Sequence, residues 1–174
     1  MSKHTSRPTP RKRTAWLWIG LVGVVAAVGA TAFWLSPKSG SVAQAADVVV
    51  YKTPSCGCCV KWVDHLEDHQ MDVSVVNVPT TRGMQSKLGI PPGLRSCHTA
   101  KVGDYWVEGH VPADLVKKLI TDKPDDIRGI SAPGMPAGSP GMEGPNPVQY
   151  DIVAYHTDGT TSVYATRQGE EAVK

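Results

Sequence analysis

The chain has 174 residues, with 18 Lys and Arg against 16 Asp and Glu and a hydrophobic fraction of 41%. Six of the basic residues (Lys3, Arg7, Arg11, Lys12, Arg13 and Lys38) and none of the acidic ones lie in residues 1–46, so residues 47–174 carry 12 basic against 16 acidic side chains, a net −4 before histidine. That balance excludes nucleic acid as a partner, because phosphate recognition rests on a basic surface, and the chain beyond residue 46 is the size of one small domain.

The first element in chain order is apolar. Residues 15–35, Ala15 to Leu35, contain no charge, and at ~1.5 Å per residue such a helix reaches ~30 Å, the thickness of a bilayer core. Trp16, Trp18 and Trp34 mark its ends and a basic flank precedes it, which keeps the flank in the cytoplasm and sends the rest outside. Ala43-Gln44-Ala45 has the small residues of a signal cleavage site. Residues 1–46 are therefore read as a cytoplasmic basic flank plus a transmembrane anchor or signal peptide, with the periplasm as the location of the remainder and the inner membrane as a partner through residues 15–35.

Val48 to Tyr51 predicts a short buried strand, and Ser55 is placed to cap a helix carrying Val60, Val63 and Leu66 along one face. Val73 to Val78 is a β-branched run that predicts a second strand. Thr80 to Leu88 is weakly helical and stops at Gly89, and Pro91-Pro92-Gly93 breaks the chain. Thr99 to Val102 and Tyr105 to Glu108 predict a hairpin about Gly103-Asp104. Pro112 opens a helix with Val111, Leu115, Val116, Leu119 and Ile120 at helical spacing. The resulting β-α-β-α-β-β-α order, α/β (α+β) in class, resembles the thioredoxin-like fold. Ten of the nineteen residues from 129 to 147 are Gly or Pro. They include a doubled turn, Pro133-Gly134-Met135 and Pro140-Gly141-Met142, and are read as a flap that leads into a hairpin of Gln149 to His156 and Thr160 to Ala165. The domains are then 1–46, a metal-binding domain over 47–128, and the Gly/Pro/Met-rich loop with its β-hairpin over 129–174, packed on the same domain.

The chemistry is concentrated in four cysteines. Cys56, Cys58 and Cys59 crowd the turn between the first strand and the first helix, and Cys97 lies alone. A helix N-terminus favours thiolate over thiol. Cys56 and Cys59 have the C-x-x-C spacing of thiol oxidoreductases. A third adjacent thiol, however, invites scrambled disulfides, and Cys97-His98-Thr99 stands where thioredoxin-like oxidoreductases place a cis-proline. By the same analogy Cys97 joins the other three. Thiolates suit Cu(I), zinc or iron–sulfur clusters. Three sulfurs within four residues cover one tetrahedron poorly but can bridge several Cu(I) ions, so copper leads, with disulfide chemistry, zinc or iron–sulfur, and inert thiols as alternatives. Met135, Met142, His98 and His110 are additional candidate ligands, with packing of the flap as the alternative role of the methionines. His65 and His69 are read as a solvated helix face, and Lys52 and Lys61 as exposed lysines. No residue is assigned a catalytic role.

The segment Tyr51-Lys52-Thr53-Pro54-Ser55-Cys56-Gly57-Cys58-Cys59, the later Cys97-His98-Thr99 and the Pro-Gly-Met-rich run resemble one family, the exported copper-resistance protein CopG and its relatives of unknown function. The resemblance spans about residues 47 to 166. It implies a thioredoxin-like periplasmic copper-binding protein, with Cys56, Cys58, Cys59 and Cys97 holding Cu(I) or cycling it with Cu(II). Two other functions stay open: a thiol–disulfide oxidoreductase using Cys56 and Cys59, and a chaperone handing copper to an efflux partner.

Overall fold

The computed structural model describes residues 47–173. The leader, with the expected helix over 15–35, lies outside the described residues. The transmembrane assignment is corrected to this extent: it has no support among the described residues, where no helix is long and apolar enough to cross a membrane.

Strand β1 (Val48–Lys52) buries Val48, Val50 and Lys52 on one face. Helix α1 (Gly57–Asp68) follows, with Cys59, Trp62, Val63 and Leu66 buried at the i, i+3, i+4, i+7 spacing of an amphipathic helix. Two expectations fail here. Val60 is 44% exposed, because it lies off that stripe, and the N-cap is Cys56 rather than Ser55, with no side-chain cap. The helix ends at Gln70 (φ 62°), whose N–H reaches Glu67 O while Met71 N–H reaches Leu66 O, the paired bonds that close a helix on a left-handed residue. Strand β2 (Val73–Asn77) is followed by the short helix α2 (Arg82–Lys87), which closes the same way on Gly89, and by a 3₁₀ turn at Pro92–Leu94. Strands β3 (Thr99–Val102) and β4 (Tyr105–Glu108) form the hairpin, and α3 (Ala113–Asp122) starts after Pro112.

The expectation of a loop from residue 129 is also corrected. Ile127–Ser131 is a strand, β5, pairing parallel with β4 and antiparallel with β6 (Gln149–His156). Its Gly129 lies flat on Trp106, where a Cβ would overlap the indole ring. Gly129→Ala is thus expected to destabilise the protein by about 1–3 kcal/mol, the usual penalty of overpacking, read as a lower urea midpoint at unchanged m-value. Strands β7 (Thr161–Gln168) and β8 (Glu171–Ala172) complete one eight-stranded sheet, ordered β2-β1-β3-β4-β5-β6-β7-β8.

Within it, β1 and β2 are parallel, β3 is antiparallel to β1, and β4 is antiparallel to β3. This β-α-β-α-β-β-α order with further C-terminal strands is consistent with a thioredoxin-like core. The main core joins Val48, Val50, Trp62, Leu66, Val107, Val116, Leu119, Ile130 and Ile152. Trp106 belongs to a second cluster with Ile90 and Leu94, on the opposite face, as the alternation of Trp106 and Val107 along β4 requires. Trp62 Nε1 donates to Val111 O at 2.8 Å, fastening α1 to the β4–α3 connection. The start of α1, the segment before β3 and the end of β4 therefore meet at one edge.

Candidate metal centre

The turn after β1 leaves the first N–H groups of α1 without a side-chain cap, so sulfur takes the place next to the helix N-terminus. Cys56 and Cys59 are joined as a disulfide with Cα atoms 5.3 Å apart, while Cys58 and Cys97 are free thiols. Cys58 Sγ lies 3.6 Å from Cys56 Sγ and 3.9 Å from Cys97 Sγ, and Cys59 Sγ lies 3.6 Å from Cys97 Sγ. All four sulfurs fall within 4.8 Å of one another. Cys97 is brought in by the extended segment that enters β3, where His98 follows it; no peptide bond among the described residues is cis.

Cys97 also faces nitrogen. His98 Nδ1 is 3.4 Å from its sulfur and His110 Nε2 is 3.2 Å away. The His110 Nδ1 hydrogen bond to Pro140 O, 2.8 Å, assigns the ring proton to Nδ1. The lone pair of Nε2 then points at the Cys97 sulfur, the arrangement that readies an imidazole for a metal. His98 is fully buried between Trp62 (centroids 4.4 Å apart) and His110 (4.9 Å), and its Nε2 has no partner among the described residues. Burial, reinforced by His110, pushes His98 down to about 3, and burial likewise lowers His110. Both rings are neutral at pH 7. Burial, then the neighbouring Cys58, pushes the Cys97 thiol up to about 12, so without metal it stays protonated and an incoming ion must displace the proton.

The doubled Pro-Gly-Met turn straddles this centre. Its first half meets the Cys97 segment: Ser96 Oγ donates to Gly134 O, and Gly134 N–H reaches Arg95 O at 3.5 Å. In its second half a Cβ on Gly141 (φ 84°) would stand 2.6 Å from Cys58 O and 3.0 Å from Trp62 N, so only glycine allows this approach. Met142 is half-buried. Met135 is 55% exposed and, with Cys97, Arg82, Arg95 and Ser96, lines a cavity of about 600 Å³.

Two expectations about neighbouring side chains change. Lys52 is buried and donates to Thr53 O at 3.0 Å. His65 is half-buried rather than solvated: its Nε2 accepts the Ala113 N–H at 3.0 Å, capping α3. Its Nδ1, 3.5 Å from Glu170 Oε1, must then carry the proton. His65, His69 and Glu170 come close together, but the lone pair of His65 is already engaged.

Sequence reasoning missed Glu108. It is fully buried at the end of β4, and its carboxylate accepts hydrogen bonds from Ser96 N–H, Gln85 Nε2 and Thr99 Oγ1, each at 2.6 Å. Burial pushes this carboxyl up to about 7 against the pull of those three donors. No local sequence signal marks it: Trp106, Val107 and Glu108 are all buried along β4, and only the register opposite Thr99 turns Glu108 inward.

The family model described as "Protein of unknown function, DUF411" matches residues 94–142, the stretch that holds Cys97, His98, Glu108, His110 and both Pro-Gly-Met turns. Two solved structures, form 2 and form 1 of the copper resistance protein copG, are each 38% identical to the chain with a TM-score of 0.66. The matches cover 69% and 70% of this chain and 96% and 97% of theirs. No curated protein matches the sequence.

Proposed function

We propose that this chain, which belongs to the copG copper-resistance family, captures Cu(I) outside the cytoplasm in the reduced thiolate pocket of Cys56, Cys58, Cys59 and Cys97. The observation that carries the proposal is the convergence of four sulfurs within 4.8 Å with the His110 lone pair turned onto one of them. Soft thiolates with an imidazole suit Cu(I), and sulfurs this crowded can bridge more than one ion. Copper is cargo here, and interconversion of Cu(I) and Cu(II) or transfer to an efflux partner are further expectations of the same pocket. His98, Met135 and Met142 complete the proposed ligand set, the methionines as thioethers of the flap.

Reduction is the condition for loading, because the Cys56–Cys59 disulfide occupies two of the four sulfurs. Anaerobic Cu(I) titration against a competing chelator, with elemental analysis of the product, is expected to give more than one copper per reduced chain and a much lower uptake with the disulfide intact. A reduced protein that takes up no Cu(I) would remove the proposal. The same disulfide supports the second reading, a thiol–disulfide oxidoreductase with Cys56 as nucleophile. Rapid turnover of a model disulfide by the metal-free protein, lost in Cys56→Ser, would establish that reading instead.

The flap is expected to slow copper loss. The double variant Met135→Ala, Met142→Ala should release Cu(I) to a chelator faster than the parent at unchanged circular dichroism. Equal release rates would leave both methionines with packing alone.

A further inference from the structure

The segment carrying Cys97 has no regular secondary structure of its own. It runs from the 3₁₀ turn to the start of β3, and a backbone of this kind holds a sulfur in place only if something grips it from outside. The grip comes from one carboxylate. Glu108 Oε1 accepts the Ser96 N–H and Oε2 accepts the Thr99 hydroxyl, both at 2.6 Å. Ser96 and Thr99 bracket Cys97 and His98, so a single side chain clamps both ends of the ligand-bearing segment.

The clamp is reinforced on every side. Gln85 Nε2 reaches Glu108 Oε1 at 2.6 Å and Ser96 O at 3.1 Å. The main chain of Glu108 accepts the Ala132 N–H at 3.0 Å, where the flap begins, and the next residue, Gly109, donates to His98 O at 3.0 Å. Beyond Gly109 comes His110. The segment, the flap and the imidazole are thus all registered to one point of β4. A fully buried carboxylate with no ion pair is an expensive way to fill a core position, and Glu108 is in neither ligand group around Cys97.

We propose that Glu108 is the positioning residue of the metal centre: its carboxylate sets the Cys97 sulfur against the other three and so sets the affinity for copper without touching it. The inference rests on the copper reading of the pocket. Groups that orient metal ligands commonly contribute about 10–100-fold in affinity when removed, and a loss of that size is expected for Glu108→Ala.

The experiment compares the full chain with Glu108→Ala, Glu108→Gln and Leu119→Ala. Leu119 is buried in the main core and serves as a control for lost stability alone. Cu(I) affinity is measured by chelator competition on reduced protein, at a temperature where each variant is folded by circular dichroism. In parallel, the rate of Cys97 alkylation is followed by mass spectrometry in the metal-free protein. The expected result is weaker Cu(I) binding by about 10–100-fold and faster Cys97 alkylation in Glu108→Ala. Recovery of both is expected in Glu108→Gln, whose amide can still accept from Ser96 and donate to the Thr99 hydroxyl, and Leu119→Ala should leave both unchanged. Thr99→Val, which releases one end of the clamp while keeping the shape of the side chain, replaces Glu108→Ala if that variant does not fold. Parental affinity and alkylation in the clamp variant, or equal losses in Leu119→Ala, would overturn the proposal. Alkylation needs no metal, so altered Cys97 reactivity in a protein that binds no copper would remove the copper reading while leaving the clamp in place.

Discussion

Cys97→Ser is expected to lower the copper capacity of the reduced protein and to weaken Cu(I) binding by more than the ~10–100-fold typical of a lost outer-shell contact. Cys97 is the one residue shared by the two ligand groups at this edge, the four cysteines and the set with His98 and His110. Its sulfur stands 3.6 Å from Cys59, 3.9 Å from Cys58 and 3.2 Å from His110 Nε2. A serine oxygen is hard, and as an alcohol it does not give up its proton to Cu(I) as a thiol does. The three sulfurs at the helix start would then lack a partner from the opposite segment, and His110 would face a poor ligand. Because burial pushes the Cys97 thiol up to about 12, copper must expel that proton on binding, so the parental affinity should rise with pH and this dependence should diminish in the variant. Anaerobic chelator competition at several pH values, with copper content by elemental analysis, measures both effects. Binding by Cys97→Ser equal to the parent would mean that Cys97 takes no part in the pocket.

Local pattern revealed some of this molecule and pairing revealed the rest. Val63 and Leu66 of the α1 stripe, though not Val60, the Gly103-Asp104 hairpin and the spacing of α3 can be read from periodicity because each depends on residues close in sequence. Strand β5 cannot. Arg128 and Gly129 interrupt any alternation, and Gly129 is suited to a strand only because Trp106, 23 positions earlier, covers it. The cysteine knot announces itself by spacing, whereas Cys97 joins it only through the order of β1 and β3 in the sheet. Glu108 looks like a surface residue until its register opposite Thr99 shows that it points inward at the Cys97 segment. His65 is similar: its helical spacing to His69 suggests a solvated face, and only the fold brings the Ala113 N–H to its Nε2. In each case the missing information is a contact distant in sequence.

Acidification of the metal-free protein is expected to lower its stability in two stages, shallow down to about pH 4.5 and steep below. His98 decides the steep stage. Burial lowers its folded value to about 3 from an ordinary 6.5. Below pH 6.5 the unfolded chain binds a proton that the native state refuses, so stability is lost as pH falls, at roughly 1.4 kcal/mol per pH unit, until the folded value is reached. His65 and His110, both lowered chiefly by burial, act in the same direction. Glu108 acts in the opposite one. Its folded value of about 7 lies above the ordinary 4.5, so between these values the native state holds a proton that the unfolded chain has released, and stability rises as pH falls through that window. From pH 6.5 to 4.5 the slopes of His98 and Glu108 therefore oppose each other and the other two histidines tip the balance toward instability. Below 4.5 Glu108 is protonated in both states and His98 is left unopposed. Urea midpoints at pH 7, 5.5, 4.5 and 3.5 measure the curve. His98→Phe, which keeps a ring against Trp62 but cannot titrate, should make it shallower below pH 4.5, with the lowered carboxyls of Glu143 and Asp158 leaving a residual slope. A slope in His98→Phe as steep as in the parent over that range would show that His98 protonates freely inside the fold and that its burial sets no limit on acid stability.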